Sequence, residues 1–167
     1  DLTIFRPSVI FGPDDSFLNL FAALQRRFPL MPLGNTQARF QPVYVEDVAQ
    51  AIIRLLQRPG VMPGLTDPDR SQVLEACGPD VFTLRELVQL AGRLSGRPRP
   101  VIALSPTLAR WQARIMELLP GAPMMSRDNL ASMQVDNIAS GKLPGLDALG
   151  ITPATLDAIA PAYLRRS

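Results

Sequence analysis

The sequence contains no histidine, one cysteine (Cys77), one lysine (Lys142) and one tryptophan (Trp111) in 167 residues. Without histidine, no Ser-His-Asp or Cys-His mechanism can operate within the chain. The same absence argues against a zinc site, since the donors left are one thiol and scattered carboxylates. A single cysteine excludes an internal disulfide, and its setting in the apolar run Val73 to Cys77 reads as a buried structural thiol, not a reactive one. No apolar run approaches the roughly 20 residues needed to cross a bilayer, and no signal peptide is visible. Sixteen arginines raise the pI to 9.2, yet the net charge is only +2. They are scattered along the chain without a stripe interleaved with aromatics, so nucleic acid is not an expected partner.

What is present is globular, with 47% hydrophobic and 19% charged residues and a length that suits a sizeable core. Leu2, Ile4 and Phe5 lead into Arg6-Pro-Ser-Val-Ile-Phe-Gly-Pro13. Pro7 has no N–H to continue a ladder and Gly12-Pro13 forces a bend, so this stretch predicts a strand, a loop and then a helix. The first residue lies inside a strand, and the chain reads as the back portion of a larger protein. In doubly wound α/β folds ligands sit beyond the carboxyl ends of the strands. The residues alone leave open whether this exit touches a ligand or merely turns.

Asp14, Asp15 and Ser16 supply capping oxygens for an amphipathic helix over about 16–27, with Phe17, Leu20, Phe21, Leu24 and Phe28 at helical spacing. Asp14 and Asp15 could be read as an acid/base pair, but charges at a helix N-terminus explain them better. Pro29 and Pro32 stop the helix, Met31 to Asn35 read as a loop, and Arg39 to Val45 as a short strand interrupted by Pro42. A helix follows over 46–58, acidic at its start and basic at its end. Its apolar face is Val48, Ala51, Ile52 and Leu55, widened by Ala49, Ile53 and Leu56.

Residues 59–70 form a surface connection, and Gln72 to Cys77 a buried strand. Thr83 and Glu86 have capping-box spacing, with Phe82 and Leu87 as a hydrophobic staple. The helix they start has Leu84, Leu87, Val88, Ala91 and Leu94 inside and is stopped by Gly96 and Pro98. A strand over 99–104 precedes the Ser105-Pro106 start of a helix whose buried side is Trp111, Ile115 and Leu118. Ser126 caps a further helix bearing Leu130 and Met133, residues 138–146 are irregular, and Pro153 opens a last helix ending near Leu164. Met116, Met124, Met125 and Met133 fit core filling better than an adaptable groove.

The order of elements, with Arg6-Pro-Ser-Val-Ile-Phe-Gly-Pro13 followed by Val43-Tyr-Val-Glu-Asp-Val-Ala49, resembles the C-terminal half of the extended short-chain dehydrogenase/reductases, the NAD(P)-dependent epimerases and dehydratases. The tail, with Leu119 to Leu130, Asp136-Asn137, Leu149 to Pro153 and Pro161 to Leu164, is similar to an atypical branch related to the dehydrogenase-like accessory subunit of respiratory NADH:ubiquinone oxidoreductase. The resemblance implies an α/β chain: the C-terminal part of a Rossmann-like doubly wound fold plus a small mixed α/β substrate-side domain. Residues 1–82 would be the last Rossmann elements with an inserted substrate-side segment at about 14–42, and 83–167 a mainly helical substrate-side domain.

The resemblance further implies that Pro7, Ser8 and Val9 line the nicotinamide end of a NAD or NADP cofactor. It places Phe11, Phe17, Arg39 and Gln41 on the substrate side. Val9 stands where sugar-nucleotide enzymes carry an asparagine, and Phe11 where they carry a tyrosine, which argues against a nucleotide-sugar substrate. The chain has no Gly-rich phosphate fingerprint, and Tyr44 and Tyr163 are followed four positions on by Val48 and Ser167, so it lacks a Tyr-x-x-x-Lys pair. The chain by itself is therefore expected to carry no catalytic residue and to hold no cofactor tightly. Two functions stay open: part of an NAD(P)-dependent oxidoreductase or epimerase, or a non-catalytic NAD(P)H-binding accessory or assembly protein with a respiratory-complex partner. The expected location is cytoplasmic, or peripheral at the inner membrane under the second reading. A bare sheet edge at residues 2–6 would invite self-association.

Overall fold

The computed structural model describes residues 2–57, 71–118 and 135–165. Strand β1 (Leu2–Pro7) pairs parallel with a later strand, β6 (Ser71–Ala76), residue for residue from Leu2 opposite Ser71 to Pro7 opposite Ala76. Between them come β2 (Ile10–Phe11), α1 (Leu18–Arg27), β3 (Met31–Leu33), β4 (Arg39–Phe40), β5 (Val43–Tyr44) and α2 (Val45–Gln57). After β6 follow β7 (Phe82–Thr83), α3 (Leu84–Leu94), β8 (Val101–Ala103), α4 (Pro106–Leu118), a 3-10 turn at Leu146–Leu149 and α5 (Leu156–Leu164). The other pairs are β2 with β5 and β3 with β8, both parallel, and β4 with β7, antiparallel. This is the expected α/β fold built on parallel pairs.

Two hydrophobic clusters organise these elements. The larger gathers Phe11, Leu18, Phe21, Leu87, Val88 and Leu156 between α1, α3 and α5. The smaller sets Val43, Val48, Ala51, Leu74, Leu146 and Ile151 against the β1–β6 pair. The segment 14–42 thus supplies helix and strands to the larger cluster, while 144–151 returns to the smaller one, where Glu75 donates its N–H to the Pro144 carbonyl (2.9 Å). Asp47 on α2 accepts the Ala154 N–H at 2.8 Å, and the Arg54 guanidinium donates to the Leu149 carbonyl.

Local signals explain most element boundaries. Of the two neighbouring aspartates, Asp15 is the cap: its Oδ1 accepts the N–H groups of Phe17 (2.9 Å) and Leu18 (2.6 Å), satisfying donors that a helix start leaves bare. The capping box of α3 is complete, with Thr83 Oγ1 accepting the Glu86 N–H (3.2 Å) and Glu86 accepting the Thr83 N–H (2.7 Å). The Glu86 carboxyl is held below its usual range by these bonds to Thr83.

Several expectations need correction. Residues 31–33 are a strand, not a loop, because β8 offers a partner the local pattern cannot reveal: Met31 donates to the Pro100 carbonyl and Leu104 to Leu33. Pro32 is tolerated because its neighbours make the bonds to the β8 side, Met31 donating and Leu33 accepting, so no N–H is needed at Pro32, and its own carbonyl accepts from Gln112 (3.0 Å). The single strand expected over 39–45 splits at Pro42 into β4 and β5, which pair with different partners. On α2, Ile52 is 45% exposed, Ile53 51% and Leu56 76%, and Ala49 is exposed too, so the buried face narrows to Val48 and Ala51 with Leu55 half-buried. Trp111 is 59% exposed rather than buried, and Phe28 also lies outside the core. Cys77 is half-buried; burial first and Glu75 second push its thiol pKa up, away from reactivity. The last helix starts at Leu156, not Pro153. The connection 59–70, the Ser126 helix with Leu130 and Met133, Met124 and Met125, and the side chains of Ile115, Met116 and Leu118 lie outside what is described.

Candidate functional site

The carboxyl ends of β1 and β6 emerge side by side, bringing the loops Pro7-Ser8-Val9 and Cys77-Gly78-Pro79 together where a parallel α/β sheet binds its ligands. Ser8 donates its N–H to the Ala76 carbonyl (3.1 Å), which holds the exits in register one residue past the strands. Pro7 is exposed, Ser8 is buried, and Val9 is half-buried against the larger core. The Val9 carbonyl accepts the Val43 N–H at 3.0 Å, tying the loop to the start of β5.

The polar side chains around this loop are committed to backbone. Ser8 Oγ donates to the Asn137 carbonyl (2.7 Å) and accepts the Gln41 N–H (3.1 Å). Gln41 Nε2 donates to the Gly78 carbonyl (2.7 Å) while its Oε1 accepts the Ala139 N–H (2.8 Å). Four distant segments are thus stapled by two side chains. Gly78 sits so close to residue 42 that a Cβ would lie 1.8 Å from the Pro42 carbonyl oxygen, a contact that only glycine avoids. The wall this builds can be approached through backbone and through Pro7, while Ser8 and Gln41 spend their strongest bonds on holding the wall together.

The residues expected on the substrate side divide in the same way. Phe11 is fully buried in the larger core, with its ring 5.6 Å from that of Tyr44. Phe17 is half-buried, edge-to-face with Phe21 (5.2 Å between centroids) and tilted against Phe40 (5.7 Å). Arg39 is exposed and forms a two-bond pair with Asp136, its Nε and Nη2 donating to Oδ2 at 3.0 and 2.7 Å. Each partner favours the other's charged form: the Asp136 carboxyl lies below its usual range and the Arg39 guanidinium above. The structure therefore brings Pro7, Ser8, Val9 and Gln41 together, packs Phe17 on Phe40 of β4 and leaves Arg39 of the same strand exposed, while Phe11 points inward.

Three residues escaped the sequence reading. Asn137 makes an isolated bridge with Phe40, and its carbonyl accepts from both Ser8 and Gln41. Glu75, nearly buried, accepts the Ser140 N–H (2.8 Å) and hydroxyl (3.0 Å). Tyr163 on α5 donates its hydroxyl to Asp15 Oδ2 (2.8 Å), locking the Gly12–Asp15 turn to the last helix; burial and the Asp15 carboxylate push its phenol pKa up. Each link joins residues more than 60 positions apart, which no local pattern reports. Among the described residues no cluster of metal-binding side chains occurs, and no helix is long and apolar enough to cross a membrane.

Comparison with known proteins agrees with this architecture. No family profile matches the chain. It is 30% identical over 168 residues to the Rattus norvegicus mitochondrial NADH dehydrogenase (ubiquinone) 1 alpha subcomplex subunit 9, covering 99% of this chain and 42% of that protein. Among solved structures, it superimposes on the dTDP-glucose 4,6-dehydratase DesIV of Streptomyces venezuelae, solved with NAD and TYD bound, with a TM-score of 0.60 at 16% identity, covering 99% of this chain and 43% of that one. The UDP-glucose 4-epimerase of Thermotoga maritima gives 0.55 at 16% identity, covering 98% and 46%. The chain shares the fold of NAD-dependent epimerases and dehydratases and resembles the respiratory accessory subunit in sequence. It spans less than half the length of these relatives.

Proposed function

We propose that this chain is the C-terminal portion of an NAD(P)-dependent protein of the extended short-chain dehydrogenase type, in which Pro7-Ser8-Val9 forms one wall of the cofactor cleft at the nicotinamide end. The observation that carries the reading is the paired exit of β1 and β6, stapled by Ser8 and Gln41 and leaving Pro7 outward. Phe17, packed on β4, and Arg39 within it face the substrate side of that cleft, and the other wall belongs to a dinucleotide-binding half.

The wall holds and shapes a ligand, and its hydroxyl and amide serve to hold backbone segments together. On this reading catalysis, where it occurs, is supplied by the dinucleotide-binding half, since these residues carry no Tyr-x-x-x-Lys pair. In a polypeptide carrying both halves, Pro7→Glu places a carboxylate beside the bound dinucleotide and lowers NADH affinity several-fold, with circular dichroism unchanged. Unaltered affinity would remove Pro7 from the cleft.

A second reading is favoured by the likeness to the rat respiratory subunit along 99% of this chain. Here the protein binds NAD(P)H without turnover and acts as an accessory or assembly component of NADH:ubiquinone oxidoreductase. Co-migration with that complex on native gels, together with retained NADH through many turnovers' time, supports the second reading; cofactor oxidation or sugar epimerisation supports the first.

A further inference from the structure

Sixteen arginines look scattered in the sequence, but the fold concentrates part of them. Residues 16–45 and 87–116 contain no aspartate or glutamate. They fold together around the β3–β8 ribbon. Gln25 of α1 donates Nε2 to the Val88 carbonyl of α3 (2.8 Å) and accepts the Arg99 N–H (3.1 Å) through Oε1, and Arg99 Nε donates to the Gln25 carbonyl (3.0 Å), so the end of α1 meets α3 and the segment that follows it. Met31 then donates its N–H to the Pro100 carbonyl as β3 pairs with β8, and Gln112 of α4 donates to the Pro32 carbonyl of β3.

This end of the molecule exposes Arg26, Arg27, Arg93, Arg97, Arg110 and Arg114 with no acidic residue from either segment. Between them the chain exposes Phe28, Leu30, Ile102, Leu108 (57%) and Trp111 (59%). The Arg114 guanidinium carbon lies 5.9 Å from the centre of the Trp111 ring. Large apolar side chains standing in water among arginines cost free energy that burial recovers. A nucleic-acid backbone would use the charges and leave the apolar side chains wet. An anionic bilayer uses both, taking aromatic and aliphatic groups at the headgroup boundary and arginines at the phosphates.

We infer that the surface around β3–β8 and α4 is a peripheral docking face for a membrane bearing anionic phospholipids, with Trp111 and Phe28 entering the interface. The inference stands on this surface and does not depend on the cofactor cleft, which lies at the β1–β6 exits.

Trp111 is the sole tryptophan, so its emission reports the proposed face directly. The full chain is mixed with phosphatidylcholine vesicles, with vesicles containing about one-third phosphatidylglycerol, and with the latter brominated on the acyl chains. Each is measured at low and high salt. The expected result is partition into the anionic vesicles only, a blue shift of Trp111 emission, quenching by the brominated lipid, and release by high salt. Arg26→Gln with Arg27→Gln, both exposed, lowers that partition at least about tenfold. Absence of partition at low salt overturns the inference. So does partition with unshifted Trp111 emission, since another face would then be bound, and so does equal affinity for neutral vesicles.

Discussion

Helices α2 and α3 carry comparable amphipathic patterns and meet opposite fates. Leu84, Leu87, Val88 and Ala91 of α3 are fully buried between α1 and α5, whereas α2 buries Val48 and Ala51 and leaves Ile53 and Leu56 in solvent. The difference teaches that α3 belongs to a core the chain closes by itself. The apolar face of α2 is wider than the β1–β6 pair can cover. Consistent with this, β1 pairs along one edge only among the described residues. The larger cluster is the self-sufficient part of the structure, and the β1–β6 side with α2 is where a further layer of a doubly wound fold would pack.

Substitutions can break or sharpen that contrast. The largest effect is expected from Leu87→Ala, which opens a cavity in the closed core and costs about 2–5 kcal/mol in urea unfolding. A loss under about 1 kcal/mol would mean that the α1–α3–α5 core is loosely packed. Next is Gly78→Ala at the strand exits, where backbone must move to clear the Pro42 carbonyl; a loss of about 1–3 kcal/mol is expected. Near-neutral behaviour there would show that the stapled wall is pliable.

Thr83→Ala removes the α3 cap at a cost of about 1 kcal/mol. The same box gives a pH signature. Because the Glu86 carboxyl is depressed in the folded chain, its contribution is present above the unfolded glutamate range and fades as pH falls through the lower folded value. That fading should be smaller but still present in Thr83→Ala, which loses the hydroxyl bond and keeps the stronger one from the backbone N–H of residue 83. The smallest effect is Leu56→Ala, within about 0.5 kcal/mol, since nothing covers this side chain. A large loss would mean that α2 is packed as tightly as α3.

Local chemistry made much of the fold legible. Thr83 and Glu86 announced α3, Asp15 the start of α1, and Pro42 the break before β5, because each acts within a few residues. The strand character of Met31–Leu33 is not legible locally, since it comes from β8, some 70 residues later. Helical spacing cannot tell which of two apolar stripes meets the core, so it points Trp111 inward, whereas Ala109 and Gln112 take that side. In the site, the position of Pro7 at a strand exit was readable. The roles of Ser8 and Gln41 as staples were not, since their partners at 78, 137 and 139 are brought in only by folding.

The central claim is that these residues supply one wall of a dinucleotide cleft and not its phosphate-binding half. Calorimetric titration of the chain with NADH tests it most directly. The account predicts no saturable binding below about millimolar concentration. Saturation at micromolar NADH would contradict it, because a complete pyrophosphate site would then have to exist within these 167 residues.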